Sequence, residues 1–448
     1  MKKILTFILA LTLILSVAAC SNTKATSSNV TIDSLTLGKD YTDLAASIKV
    51  LTSKTDFTDT VMTDYVKEFQ KEYPNIEITY EAITNYSQTI TTRLTTPDWG
   101  DICMIPGDVD KPAFSTYFIS LGDLTKLSEK YIFLNDKSFD GQVYGIPSKN
   151  NVQGIVYNKA VFTAAGITTM PKTPAEFIAD LQMIKDNTTA IPLYTNFAAG
   201  WTMGAWDAYV GGTSDGDAKY MNQILPHASN PFADRGDGTG PYAVYSVLYD
   251  AVKNKLIEQD PTTTDWEGCR AMINGGQIGT MVLGSWAVSQ MQQAGPNPND
   301  IGYMPFPISV NGKQYASAGS DYCYGINVNS SKDNQIASML YVKWLTEVSN
   351  FAYDQGGIPE VKDAALPPIL ETFKGIEFVA NDPALPGEET LLGDINTESE
   401  VAINNNNDRV ASIVSEAFKG GKTLTQITDG WNAKWTAAQE SLGVTINK

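Results

Sequence analysis

Asp140 to Lys159 reads DGQVYGIPSKNNVQGIVYNK: two runs rich in β-forming residues, QVYGIP and VQGIVYN, around a polar tetrapeptide, Ser148-Lys149-Asn150-Asn151. Pro147 removes a ladder donor and biases Ile146 toward extended geometry. The whole is one long extended segment interrupted in mid-course by polar residues. A hairpin is one reading, although Asn-Asn lacks the glycine that usually closes a tight turn. A strand that leaves one sheet, crosses a gap and enters another is the other.

Toward the N-terminus, Ile48 to Ser53 is a short β-rich run. A helical pattern follows, with Val61, Met62, Tyr65, Val66 and Phe69 on one face and Pro74 beyond its end. Ile76, Ile78, Tyr80 and Ala82 then alternate as a half-buried strand does, which completes a βαβ unit. Toward the C-terminus, Thr173-Pro174-Ala175-Glu176 is a capping box with proline at the first helical position. Phe177, Leu181 and Ile184 line the helix it opens, and 191–194 reads as the next strand. IGTMVLGS (278–285) is a strand running directly into Trp286, DYCYGINVN (321–329) is another, and 335–351 is a strong helix. The tail from Val401 to Leu442 is mostly helical in pattern. Helical and extended pieces alternate throughout, so an α/β architecture is expected.

The chain starts Met-Lys-Lys, runs apolar from Ile4 to Ala19 and reaches Val17-Ala18-Ala19-Cys20. Residues 1–19 therefore read as a secretory signal, too short for a comfortable membrane span of about 20 residues. Val-Ala-Ala-Cys resembles the bacterial lipobox, in which the cysteine is acylated and becomes the first mature residue; an ordinary signal peptide carrying a cysteine is the alternative. Residues 20–45 open with a Ser/Thr/Asn-rich stretch and are expected to form a flexible tether. The formal net charge of −18 argues against nucleic acid and against direct adhesion to anionic lipid. Cys103, Cys269 and Cys323 are an odd number, so a full disulfide framework is excluded and buried thiols are expected.

Several segments together resemble the family 1 extracellular solute-binding proteins of sugar ABC importers, relatives of maltose-binding protein. They are YGIPSKNNVQGIVYNKAVFTAAGI followed by the Thr173 box, GTMVLGSWAVSQ with GYMPFP soon after, and SDYCYGINVNSSKDNQIASMLYVKWL followed by QGGIP. The resemblance implies a two-lobed periplasmic-binding-protein-like fold, with strands crossing between lobes and ligand held in the cleft. On that pattern Pro147–Val152 is the first crossing, Tyr315–Asp321 the return, and Gly356–Pro359 the third. One lobe would comprise 46–149 plus 320–352, the other 152–315 plus 360–448. The resemblance also implies an ABC permease as partner, a monomer, and membrane attachment through an acyl group on Cys20 at the extracytoplasmic face.

A sugar presents apolar C–H faces and a rim of hydroxyls, so its site needs flat aromatics and fixed hydrogen-bonding groups, carboxylates especially. Trp286 follows a buried-looking strand, and the resemblance carries over a ligand-stacking aromatic to this position. Trp201 and Trp206, in a Gly/Ala-rich segment, face either the cleft or the core. Trp344, Trp431 and Trp435 fall in helical patterns and are expected to pack inside. Asn150 and Asn151 lie at the first crossing, where their amides reach a ligand or form a turn. Asp321 and Tyr322 lie at the second. Glu81, Tyr86 and Asp108, with Asp56, follow strands of the first lobe, where open α/β sheets bind ligands.

Other chemistries fit poorly. His227 is the only histidine, so a catalytic triad or a histidine-based zinc site would hang on one residue. No Walker lysine motif is present, and no cofactor is expected. A glycoside hydrolase shares the secretion, aromatics and carboxylates, and the acidic balance would also suit a cationic ligand such as a polyamine. The order of the motifs favours a binding protein that hands a sugar to a permease.

Overall fold

The computed structural model describes residues 30–54, 58, 61–107, 109–404 and 407–447. Cys20, Asp56 and Asp108 lie outside these. In chain order the elements that position the site are β1 (Ala46–Thr52), α1 (Val61–Phe69), β2 (Ile76–Ala82), β3 (Ile102–Ile105), β4 (Ile146–Pro147), β5 (Asn150–Asn158), α2 (Pro174–Asn187) and β6 (Ile191–Leu193). There follow α3 (Gly240–Lys253), α4 (Trp266–Asn274), β7 (Ile278–Gly284), α5 (Trp286–Gln293), β8 (Ile301–Pro305), β9 (Tyr315–Ser320), β10 (Cys323–Ile326), α6 (Lys332–Glu347), β11 (Glu377–Val379), α7 (Asn407–Lys419) and α8 (Leu424–Ser441).

Two large sheets divide the molecule, with a small three-stranded sheet besides. The first runs β2-β1-β3-β10-β4, with β1 parallel to β2 and β3 and β10 antiparallel to its neighbours. The second runs β11-β9-β5-β7-β6, and β8 also pairs with β5. The first sheet shares its core with α1 and α6: Ile48, Val50, Phe69, Ile102, Tyr341 and Trp344 are buried together. The second is covered on both faces, as a largely apolar β5 requires. Ile155 and Tyr157 join α2, α3, α7 and α8 on one side, while Val152 and Val156 join α4 and α5 on the other. Trp344, Trp431 and Trp435 are buried, in keeping with their helical positions, and Cys103, Cys269 and Cys323 are buried free thiols.

The hairpin reading of 140–159 fails because its two halves pair in different sheets. Ile146–Pro147 pairs with β10 in the first sheet, and Asn150 onward pairs in the second, so Ser148 and Lys149 span the gap. The return crossing is equally short, at Asp321 and Tyr322 between β9 and β10. The third segment runs farther than its Gly-Gly-Ile-Pro signal marks. Ile358 exchanges hydrogen bonds of 2.9 and 2.8 Å with Asn150, and the Lys362 N–H still donates to the Lys130 carbonyl of the first lobe. Leu370 and Phe373 then enter the core of the second.

The expected tether through residue 45 needs correction. Ile32 and Leu35 are buried in the core of the first lobe, and the Ile32 N–H donates to the Leu121 carbonyl at 2.9 Å. Ser, Thr and Asn neighbours conceal these apolar residues in a composition count, but the folded body already includes Val30 to Leu44. The Thr173 signal forms a variant of the box: Thr173 Oγ1 accepts from the Glu176 N–H at 3.3 Å, while Glu176 Oε2 accepts from Lys172, one residue before the cap.

Candidate functional site

All three crossings meet beside a cleft of about 710 Å³ between the lobes. Lys149, Asp321 and Gln355 form its floor, Ser53 and Lys54 come from the end of β1, and Glu267, Arg270 and Trp286 come from α4 and α5. Strand polarity explains this convergence. β5 leaves the hinge, antiparallel β7 and β9 return to it, and β6 runs with β7, so their connecting segments gather at one end of the sheet.

Trp286 holds the second lobe's side of the cleft. Gly284 makes room for it, since a Cβ there would stand 2.7 Å from the indole Nε1. Ser285 ties this strand end to the hinge: its N–H donates to the Val152 carbonyl at 2.9 Å, and its Oγ accepts from the Val152 N–H at 3.1 Å. Two further indoles pack on Trp286. Trp201 lies 5.7 Å from it and Trp266 5.8 Å, centroid to centroid, with 5.0 Å between those two. Trp201 is 39% exposed, a large apolar surface to leave in water without a partner. The Arg270 guanidinium sits 5.8 Å over the Trp266 ring and pairs with Glu267.

On the floor, Asp321 is held 3.7 Å from the Lys54 ammonium, and its backbone N–H donates to the Lys149 carbonyl at 2.9 Å. Lys149 is 5% exposed, and burial pushes its amine down to about 8, against a smaller opposing pull from Asp321. Asn150 is fully buried; its amide donates to the Ile358 carbonyl at 3.2 Å, and among the described residues its Oδ1 has no hydrogen-bond partner. Asn151 Oδ1 lies 3.5 Å from Ser285 Oγ. Both asparagines therefore knit the hinge rather than line the cleft.

The remaining expected site residues separate. Trp206 is 2% exposed and packs edge-on to Phe306 at 6.0 Å, deep in the second lobe, so it is a core residue. Tyr86 is buried; its hydroxyl accepts from the Met104 N–H at 2.7 Å and donates to the Leu51 carbonyl at 3.1 Å, fastening β1 to β3. Tyr322 is half-buried and stands edge-on to Tyr86 at 5.5 Å. Glu81 pairs with Arg93 at 2.7 Å and Lys49 at 3.7 Å on the outer surface, and the Arg93 hydrogen bond holds its carboxyl below the usual range. Neither it nor the two tyrosines line the cleft. Sequence reading missed Trp266, Arg270 and Lys149. The signal for the first two was present: Asp265 caps α4 through the Glu267 and Gly268 N–H groups, and Trp266 and Arg270 lie four apart on one helical face.

The family model of the bacterial extracellular solute-binding proteins matches residues 54–350. The chain belongs to this family. Among solved structures, a manno-oligosaccharide-specific solute-binding protein of Bifidobacterium animalis subsp. lactis, BlMnBP2 in complex with mannotriose, is 47% identical. The match covers 92% of this chain and 99% of that one, with a TM-score of 0.84. BlMnBP1 of the same organism, a binding protein of an ABC transporter in complex with mannobiose, is 46% identical over the same shares, also with a TM-score of 0.84. The multiple sugar-binding protein of Streptococcus mutans is 25% identical over 340 residues, 73% of this chain and 76% of that protein. Both Bifidobacterium structures share the fold of this chain, and all three relatives are binding proteins.

Proposed function

We propose that this chain is the carbohydrate-capturing subunit of an ABC importer, and that its ligand is a manno-oligosaccharide of two or three units. The observation that carries the reading is the tryptophan wall: three mutually packed indoles, one of them lining a polar cleft between hinged lobes. Indole faces match the C–H faces of pyranose rings, and the ammonium, guanidinium and carboxylate groups around them match hydroxyl edges. The similarity to the Bifidobacterium proteins supports mannose as the repeating unit.

Capture proceeds by closure. Sugar bound to the second lobe's wall and the hinge floor also reaches Ser53 and Lys54 of the first lobe, which stabilises the closed form over the open one. A micromolar Kd, about −8 kcal/mol, suffices for capture and still permits release to the permease. A polyamine fits less well, because Lys54, Lys149 and Arg270 all line the cleft. Hydrolysis is disfavoured as well: the cleft carboxylates Asp321 and Glu267 are each engaged by a cation, Lys54 and Arg270. In this reading the protein acts as a monomer, held to the membrane by an acyl group on Cys20.

Calorimetric titration with mannobiose and mannotriose, against cellobiose, tests the assignment. Micromolar binding of the manno-sugars, recovered intact after long incubation, is expected. No heat from either manno-sugar would remove the ligand assignment, and cleaved sugar would remove the binding-protein reading. Mass spectrometry of the native N-terminus tests the anchor: a diacylated Cys20 is expected, and an unmodified mature start elsewhere excludes it.

A further inference from the structure

Lys149 is the residue in the cleft whose state within the protein is least satisfied. Its backbone is clamped between the other two crossings: its carbonyl accepts from the Asp321 N–H, and the next residue pairs with Ile358. Its aliphatic stem lies on Gly357, where a Cβ would stand 2.9 Å from Lys149 Cδ and 3.0 Å from its Cβ. The side chain is thus threaded through a gap that only glycine leaves, and its end lines the cleft. The charged groups facing it are Asp321 on the return crossing, Lys54 at the end of β1, and Glu267 and Arg270 across the cleft on α4. Glu267 pairs with Arg270, and Asp321 Oδ2 lies 3.7 Å from the Lys54 ammonium, an ion pair without a hydrogen bond among the described residues. Among the described residues the Lys149 ammonium has no hydrogen bond and no ion pair. A cation drawn this far from water without a protein acceptor is costly, and Lys149 is left bordering the cleft, where a ligand can supply oxygens.

We propose that Lys149 is a specificity-determining residue of the sugar site, its ammonium left open in the free protein so that the oxygens of one sugar unit become its acceptors. This rests on the carbohydrate reading of the cleft and adds to it the group that fixes one unit over the hinge. An ammonium has three donors and no acceptor, so it selects a ligand that brings several oxygens to one point, and charge-assisted bonds of this kind are strong. Hydroxyl oxygens favour the protonated amine. Binding is therefore full below the free protein's titration near 8 and is lost as pH rises through it.

Two measurements on the full folded chain test this, one with ligand and one without. In mannotriose titrations at pH 7, Lys149→Met should weaken binding about thirtyfold, in the range of anchor truncations. Wild-type affinity should drop about tenfold between pH 7 and pH 9, while Lys149→Arg, which keeps its charge, should bind more weakly but without that pH loss. Unchanged affinity in Lys149→Met, or a pH loss surviving in Lys149→Arg, overturns the inference. Without ligand at pH 7, Lys149→Met should melt at or above wild type, because it removes an uncompensated charge. The gap should close between pH 8 and 10.5, where the unfolded chain still holds the proton that the folded one has released. A variant that melts well below wild type at pH 7 shows that the amine already has a partner inside the protein. If wild type takes up no manno-sugar the ligand assignment fails, and the melting comparison still judges Lys149.

Discussion

Arg409 and Lys149 are both largely buried cationic residues, and they are treated in opposite ways. Arg409, inside the second lobe, pairs with Asp207 and lies 4.5 Å from the Trp431 ring centroid and 5.2 Å from that of Tyr245. Asp207 is served in turn by the Tyr245 hydroxyl and the Asn404 N–H, both at 2.8 Å. Lys149, at the hinge, has a shaped channel and, among the described residues, no acceptor. The same division separates the tryptophans: Trp206 is enclosed by its own lobe, whereas Trp201, Trp266 and Trp286 lean on one another at the cleft. Arg409 comes with its carboxylate partner, and Lys149 is held at the cleft without one among the described residues. That difference marks the working surface more clearly than residue type does.

If the division is sound, the largest loss comes from breaking the permanent pair. Asp207→Ala leaves a buried guanidinium uncompensated, and urea unfolding should show about 3–5 kcal/mol of destabilisation. Equal stability would mean that Arg409 is not dependent on Asp207. Trp206→Ala should cost about 3 kcal/mol by the same assay, with sugar affinity per folded molecule unchanged. Trp286→Ala reverses that pattern: affinity should fall by about 2 kcal/mol, roughly thirtyfold, while the ligand-free melting temperature stays near wild type. A Trp286 variant that unfolds early yet binds normally would erase the distinction between wall and core. The smallest effect belongs to the surface. The folded-state pKa of Glu81 is depressed, so its pair with Arg93 contributes above about pH 4.5 and is lost as pH falls through the lower, folded value. Exposure limits that contribution, and Arg93→Ala should change stability by under about 1 kcal/mol at pH 7.

The fold was legible because it is written in local patterns. Alternation in 76–82, the cap at Thr173 and the proline-bounded break at 148–151 each depend on neighbours in sequence. The site was legible only where such a pattern ended on an unusual residue, as β7 does on Gly284-Ser285-Trp286. Trp206 and Trp201 share one segment and one composition. Which of them is enclosed depends on Phe306, Trp266 and Trp286, each far along the chain. Tyr86 fails as a ligand group for a similar reason: its hydroxyl is consumed by backbone groups of β1 and β3, a contact that no spacing announces. Lys149 stood in plain view within the decisive stretch. Its surroundings depend on where Asp321 and Lys54 come to lie, and both are distant from it in sequence.

The place of β10 bears on the order in which the molecule can be assembled. This strand, residues 323–326, sits between β3 and β4, so the first sheet keeps a one-strand gap until more than two-thirds of the chain has been synthesised. The second lobe waits longer, since α7 and α8 supply part of its core. Neither lobe is a contiguous unit that can finish folding while the remainder is still on the ribosome. Both must close loops of high sequence separation, which slows folding and leaves unpaired strand edges exposed meanwhile. A chain held back from early completion in this way gains its hinge only when most of it has been synthesised.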